Sequence, residues 1–244
     1  MEQGSEASGS GSFFQRSIWR GWEAAKLNRI PAMGLWIFGI LLIVGYFFVP
    51  AIQDILVQVG DFKTRWGLAF SAVSTAIFGG ALPVFVSWLV GKRESDSGFS
   101  KSGFATSYLV SNVLFWAVKG VEVDLLYRFQ AMIFGDDPNL KTIAMKLVVD
   151  QLVYLPILGL LNVILFYHWR DCNFSVKLAR ETIGPNWYVQ RVLPVMVANW
   201  IVWIPAVVLI YCLPLPLQLP VQNLILCFWV LVLGVFANNQ NAAN

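Results

Sequence analysis

Residues 146–167 read KLVVDQLVYLPILGLLNVILFY, and this stretch decides the class of fold. From 147 to 167 the only charged side chain is Asp150, and a helix of that length crosses a hydrocarbon core of ~30 Å. A carboxylate inside such a span costs ~2.5–3.5 kcal/mol on insertion scales, so it normally has a partner. Lys146 lies one turn earlier on the same helix face and is the candidate partner. The stretch therefore predicts a transmembrane helix with a polar site at its head.

The composition of the whole chain also indicates a membrane protein. Of 244 residues, 57% are hydrophobic and 13% are charged, about half the charged fraction of an ordinary soluble domain. A formal charge of +3 without a basic run disfavours nucleic-acid binding. The 3 cysteines lack metal-ligand spacing, which disfavours a disulfide framework or a zinc site, and we expect no cofactor. We predict a disordered polar tail over residues 1–12 and a single transmembrane domain over residues 13–244.

Runs without charged side chains delimit the other spans. No side chain is charged from 192 to 244, where a single helix would extend ~80 Å, far more than one crossing needs. Pro214 and Pro216 break this stretch into a predicted hairpin. The six predicted spans cover residues 30–53, 66–91, 102–118, 147–167, 193–211 and 217–236. Four or five spans remain open, because Pro194 and Pro205 also interrupt the fifth. No alternating-strand pattern is present, so the predicted class is an all-α polytopic bundle.

An amphipathic helix is predicted over residues 13–28, ahead of the first span. Phe14, Ile18, Trp22 and Ala25 recur at helical spacing, which is typical of a helix lying in the membrane interface. A capping helix packed on the bundle is the alternative.

The positively charged residues predict the orientation of the spans. In the six-span topology, one face carries eleven of the 17 Lys and Arg residues, which places both termini in the cytoplasm or its organelle equivalent. These eleven come from the N-terminal segment (Arg16, Arg20, Lys26, Arg29), the 91–101 loop (Lys92, Arg93, Lys101) and the 168–191 loop (Arg170, Lys177, Arg180, Arg191).

The polar group at the head of the 147–167 span is the first candidate site. Gln151 adds an amide beside Asp150 and Lys146, and Pro156 frees a carbonyl one turn back, near Leu152. We call these four residues, Lys146, Asp150, Gln151 and Pro156, the polar notch. Such a polar group in an apolar helix either lines a pore or clamps neighbouring helices together.

A second candidate site follows the third span. Lys119 and Glu122 are spaced i,i+3, and Asp124 and Arg128 are spaced i,i+4, so both can form pairs on one helix. The cluster is either a charged pore mouth or a helix end emerging into water.

Small residues predict a close helix contact in the second span. Ser71, Thr75 and Gly79 recur every four residues, and this face predicts close packing on a neighbouring helix.

Catalysis finds little support in the sequence. His168, the only histidine, lies at a span end rather than among intramembrane acids. No nucleophile elbow, Walker loop or dinucleotide fingerprint is present. We therefore expect that the protein is not an enzyme.

The motifs resemble those of the peroxisomal 22-kDa membrane protein family, also called the Mpv-seventeen family. The family's K-x-x-x-D-Q-x-x-x-x-P stretch is matched without gaps by Lys146, Asp150, Gln151 and Pro156. Three weaker stretches match in part, over residues 120–127, 193–200 and 214–229. They match at Gly120, Tyr127, Pro214 and Trp229, and they depart at Val121, Asp124, Leu126 and Gln218. For the middle stretch the chain offers Leu193, Pro194, Asn199 and Trp200, with one residue fewer between Pro194 and Asn199 than in the family and without its Gln. The resemblance covers roughly residues 105–236.

The resemblance implies a small multi-span helical protein that is channel-like or transporter-like for small solutes or ions. The alternative is a structural scaffold that transports nothing. A bacterial cytoplasmic membrane is the favoured location, with the mitochondrial inner membrane or the peroxisomal membrane as alternatives. The lipid bilayer is the expected partner, the cargo stays open, and a second copy of the chain is a further candidate partner.

Overall fold

The computed structural model describes residues 4–89 and 103–242, and these residues form helices and no strand. The all-α class is therefore confirmed. Eleven α-helices are found among these residues: α1 Gly4–Leu27, α2 Arg29–Phe48, α3 Pro50–Trp66, α4 Leu68–Thr75, α5 Leu82–Leu89, α6 Gly103–Phe134, α7 Leu140–Val148, α8 Leu160–Asp171, α9 Val176–Glu181, α10 Leu193–Tyr211 and α11 Leu215–Ala242. Three π-helical segments, Ala76–Ala81, Val149–Gly159 and Tyr188–Val192, join consecutive α-helices.

Five helical stretches among the described residues are long and apolar enough to cross a membrane, so the chain is a multi-pass integral membrane protein. They are Arg29–Phe48, Leu68–Val86, Leu140–Asp171, Tyr188–Tyr211 and Leu215–Val232. Five lies within the predicted range of four to six. The third predicted span, 102–118, begins outside the described residues and continues inside α6, which is not among the five.

The first span ends earlier than the sequence predicted. Val49 is extended, with φ −120° and ψ 102°, and Pro50 starts α3 as its first residue. A residue that precedes proline is driven away from helical geometry, and proline is favoured at a helix start. Residues 50–53 therefore belong to α3, a separate helix that the predicted span boundaries missed.

The N-terminal region is helical from Gly4, where the sequence predicted a disordered tail over residues 1–12; residues 1–3 lie outside the described part. A side chain at Gly21 would meet the Pro194 carbonyl oxygen and Val197, so α1 packs closely on α10 there. Phe14, Ile18 and Trp22 stay exposed. The helix thus packs through a small residue, as the capping alternative required, and leaves an aromatic face suited to the membrane interface.

The chain forms two compact units. Unit 1 comprises residues 1–30 and 147–205, and unit 2 comprises residues 31–146 and 206–244. Neither unit is continuous in sequence. The prediction of one transmembrane domain over residues 13–244 stays a prediction.

In unit 2 the packing of α4 and α6 depends on the small residues that the sequence singled out. Ser71 and Thr75 are buried, and a side chain at Gly120 would collide with the Ser71 carbonyl and with Thr75. At Gly79 it would collide with the Trp116 ring. The small face predicted for the second span is thus confirmed as a contact with α6.

The C-terminal helices are separated near Pro214, as the prolines in the sequence predicted. α10 ends at Tyr211, and α11 starts at Leu215. A methyl group built on Gly39 would lie 2.9 Å from Leu209 Cδ1 and 3.9 Å from Ile225 Cδ1. In one continuous helix Leu209 and Ile225 would be about 24 Å apart along the axis. Their convergence on Gly39 shows that the chain folds back between them.

Labelling with a membrane-impermeant maleimide tests this hairpin. In a chain with Cys172, Cys212 and Cys227 replaced by serine, we expect a Leu215→Cys thiol to be labelled, because a reversal between two spans must leave the hydrocarbon core. The control variant keeps only Cys227, which lies within the Leu215–Val232 span, and should stay unlabelled. Protection of the thiol at position 215 would contradict the hairpin.

Candidate functional site

Among the described residues of unit 2, the most buried charged group is the Asp124 carboxylate of α6. It accepts hydrogen bonds from Lys63 Nζ at 2.7 Å, Ser71 Oγ at 2.8 Å and Arg128 Nη2 at 3.0 Å. The Asp124 side chain is 0% exposed and that of Lys63 is 4% exposed, whereas that of Arg128 is 44% exposed. We call these four residues the Asp124 cluster. It joins α3, α4 and α6 through one carboxylate.

Local sequence explains why these side chains meet. Lys63 lies one turn before the end of α3, and Gly67, with φ 54°, separates α3 from α4. Ser71 on α4 presents its hydroxyl to α6 where Gly120 lets the two backbones approach closely. Burying two charges costs several kcal/mol per ion, which is repaid only by close geometry and additional hydrogen bonds. The three donors around Asp124 meet that condition.

A second polar contact joins α11 to the same helices. Asn223 Nδ2 lies 2.9 Å from Ser74 Oγ and 3.1 Å from Thr75 Oγ1, and the Tyr127 hydroxyl donates to Gln222 Oε1 at 2.5 Å. These bonds tie α11 to α4 and α6 inside an otherwise apolar interior.

The anionic partner of Lys146 is Asp136, whereas the sequence spacing had suggested Asp150. Its Nζ lies 3.4 Å from Asp136 Oδ1, and the Asp136 Oδ2 accepts from the Leu215 backbone N–H at 3.1 Å. Lys146 is 2% exposed, and its Nζ is 5.8 Å from the centre of the Tyr211 ring. Asp136 thus links the start of α11 to α7.

In unit 1, the Asp150 and Gln151 side chains of the polar notch are hydrogen-bonded to each other. The Gln151 amide donates to Asp150 Oδ1 at 3.1 Å, and both residues are buried. Pro156 lies inside the π-helical segment Val149–Gly159, where hydrogen bonds run from residue i to i+5. The carbonyl that Pro156 leaves without a helical donor is therefore that of Gln151, not that of Leu152. Trp200 Nε1 donates to it at 3.0 Å.

The second predicted cluster forms both of its pairs. Lys119 and Glu122 are 2.6 Å apart, and Arg128 and Asp124 are 3.0 Å apart, so the predicted i,i+3 and i,i+4 pairs are confirmed. The interpretation as a helix end in water is wrong, because α6 continues to Phe134 and both Lys119 and Asp124 are buried.

Among the described residues, three buried glutamines hold a polar atom without a hydrogen-bond partner: Gln151, through its Oε1, in unit 1, and Gln130 and Gln218 in unit 2. Gln130 on α6 and Gln218 on α11 are each 0% exposed. Both polar atoms of Gln130 and the Oε1 of Gln218 are unpaired, while Gln218 Nε2 donates to the Leu213 carbonyl. We call these two residues the amide pair.

The register of α6 and α11 places the amide pair at one level. The contacts Tyr127–Gln222 and Asp136–Leu215 run in opposite directions along the two helices, so the helices are antiparallel. Gln130 follows Tyr127 by three residues, and Gln218 precedes Gln222 by four. Buried amides normally find partners, often an ordered water, so this level is suited to a small polar molecule.

His168 belongs to unit 1. Its Nε2 is 2.9 Å from Thr182 Oγ1 and 3.3 Å from the Ala179 carbonyl oxygen. Across the described residues, no group of three or more His, Cys, Asp or Glu side chains is placed to hold a metal ion.

Comparison of the chain with protein-family models, with curated proteins and with solved structures finds no match. The resemblance to the peroxisomal 22-kDa membrane protein family therefore stays a hypothesis based on the motifs quoted above.

Sequence reasoning missed Lys63, Gln130, Gln218 and Asn223. Lys63 lies in a stretch with several charges, between two predicted spans, where a lysine is ordinarily solvated. Gln218 and Asn223 carry no charge and so did not interrupt an apolar run, whereas Gln130 lies outside the predicted spans, after Arg128. Their uncharged polarity inside helices was the one available signal.

Removing Lys63 tests the energetic weight of the Asp124 cluster. We expect Lys63→Met to lower the free energy of unfolding by up to ~3–5 kcal/mol, because it removes the buried cationic partner of a buried carboxylate and leaves Ser71 and the partly exposed Arg128 as its donors. The double variant Lys63→Met with Asp124→Leu should recover much of that loss. Unfolding of the detergent-solubilised protein measures both.

The matched control is Lys26→Met, because the Lys26–Glu23 pair is 49% and 46% exposed and exposed pairs contribute little. Equal losses for Lys63→Met and Lys26→Met would contradict a structural role for the buried pair.

Proposed function

We propose that this integral membrane protein is channel-like or transporter-like and moves small polar solutes or ions along α6. The support is a buried polar stripe on that helix. Asn112, Lys119 and Gln130 lie close to whole turns apart and are all buried, with Asp124 and Tyr127 beside them. From Asn112 to Gln130 the stripe extends about 27 Å, close to the ~30 Å thickness of a hydrocarbon core.

The observation that carries the proposal is the amide pair. Polar atoms buried in an apolar interior cost free energy unless something binds them. The unpaired atoms of Gln130 and Gln218 comprise two acceptors and one donor, a set that one water molecule, with two donors and two acceptor lone pairs, satisfies. Charged groups in membrane segments commonly mark solute or ion pathways. We take α6 to cross the membrane beside the Leu68–Val86 span, on which it packs, and Lys119 and Asp124 would then be two such groups.

The motif resemblance supports the same proposal and its setting. The Lys146 to Pro156 stretch resembles that of a family for which channel-like behaviour has been proposed. On that resemblance the protein belongs in a bacterial cytoplasmic membrane, with the mitochondrial inner or peroxisomal membrane as alternatives. Non-enzymatic action and assembly with a second copy stay predictions of the same kind.

A structural scaffold is the second candidate, and one observation favours it. The Lys63–Asp124 contact is direct, at 2.7 Å between atoms of side chains that are almost fully buried. Direct pairing without a gap is what a helix clamp requires, and a clamp needs no cargo. The two functions therefore predict different behaviour after reconstitution.

Flux across reconstituted bilayers separates the two. The purified protein in liposomes should pass a small uncharged polar solute or a monovalent ion faster than empty liposomes do. If no solute in a panel of ions, polyols and urea crosses faster, transport is wrong and the scaffold is supported.

Gln130→Leu is the variant that links flux to the amide pair. We expect flux to fall roughly fivefold or more, since one hydrogen bond contributes ~1 kcal/mol. The same variant should keep the fold, because leucine is similar in size and leaves no unpaired atom. Gln58→Leu removes an exposed amide on α3 and serves as the matched control. Equal flux in both variants would show that the amide pair does not line the transport pathway.

A further inference from the structure

A cavity lies in unit 1, where one span ends and the next begins. It measures about 520 Å³, within the ~300–1,000 Å³ range of small-molecule sites. Its walls include His168, near the end of the Leu140–Asp171 span, and three residues around the start of the Tyr188–Tyr211 span, Trp187, Gln190 and Arg191. The cavity is therefore at the level where spans meet water.

The side chains that line this cavity favour an anion. Arg191 supplies a permanent positive charge, while Thr182, Asn186 and Gln190 supply neutral hydrogen-bonding groups. No carboxylate is among the lining residues. Arg191 takes part in none of the ion pairs found among the described residues.

Hydrogen bonds hold the His168 ring in place on one side of the cavity. His168 Nε2 is 2.9 Å from Thr182 Oγ1 and 3.3 Å from the Ala179 carbonyl oxygen. A carbonyl oxygen can only accept, so the ring is placed with Nε2–H as the donor. The Trp187 ring packs edge-on against the imidazole at 5.7 Å between centres. His168 thus positions one side of the cavity.

We propose that this cavity binds a phosphate group, with Arg191 as the residue that holds it. An arginine side chain matches the geometry of a phosphate and can bind two of its oxygens at once. The N-terminal end of the Tyr188–Tyr211 helix adds partial positive charge at the same wall. The cavity is much larger than a phosphate ion, which leaves room for the organic part of a phosphate-bearing molecule.

Two sources of phosphate fit this chemistry, a free phosphorylated solute and the headgroup of an anionic lipid. Basic pockets beside spans commonly bind lipid headgroups. The site is independent of the proposed transport along α6, because its residues belong to unit 1 and the stripe belongs to unit 2.

Binding is measured with two probes on the protein purified in neutral detergent. Inorganic phosphate is titrated against sodium chloride at equal ionic strength, with the melting temperature as readout. In parallel, the protein is placed in nanodiscs containing phosphatidylglycerol or only phosphatidylcholine, and native mass spectrometry counts the retained lipid. A saturable response to phosphate alone assigns the site to a soluble ligand, and selective retention of phosphatidylglycerol assigns it to a headgroup.

Arg191→Gln should weaken whichever binding is found by about tenfold or more, because a hydrogen bond to a charged group contributes ~1.5–3 kcal/mol. Arg191→Lys should restore part of it, and Arg180→Gln, an exposed arginine outside the cavity, should change nothing. If Arg191→Gln fails to fold, Asn186→Leu removes an exposed lining amide instead and should weaken binding. Equal responses to phosphate and chloride with no selective lipid, or equal binding by Arg191→Gln and Arg180→Gln, would overturn the proposal.

Discussion

The fully buried carboxylate of Asp124 is the constraint on which unit 2 depends. A charge in that position is tolerable only if donors from separate helices reach it together. Lys63, Ser71 and Arg128 do so at 2.7 to 3.0 Å, and their positions fix α3, α4 and α6 against one another. A shift of α6 by one turn relative to α4 would bring Asp124 out of reach of Ser71 and would leave fewer donors around a buried charge, whose burial is repaid only by close geometry and additional hydrogen bonds.

Close packing and hydrogen bonding depend on the same small residues. Gly120 lets α6 approach the backbone of α4 near Ser71, and that approach brings the serine hydroxyl within reach of Asp124. Helix association in lipid relies on close contact and on polar bonds rather than on a hydrophobic driving force. Asn223 on α11 makes similar polar bonds, to the hydroxyl groups of Ser74 and Thr75. The described polar side chains in the interior of unit 2 thus bond to other protein groups without water. Gln130 and Gln218, which keep unpaired atoms, are the exceptions.

Prolines shape unit 1 in a comparable way. Pro156 removes one helical donor, the surrounding segment adopts π-helical spacing, and the Gln151 carbonyl receives the Trp200 indole N–H instead. That bond joins the helix carrying Asp150 to α10. The functional hypotheses for the two units rest on different features: in unit 2 on the buried amides of Gln130 and Gln218, and in unit 1 on a polar cavity at a span end.

The sequence by itself determined the all-α class, the positions of most spans and the break near Pro214, because long apolar runs and prolines act locally. It also determined the pairs Lys119–Glu122 and Asp124–Arg128, which helical spacing fixes. Only the tertiary structure decided that Lys63 pairs with Asp124 across 61 positions, or that Lys146 reaches Asp136. Such partners depend on which helices pack together, and apolar helices of similar composition carry no local signal that selects their neighbours.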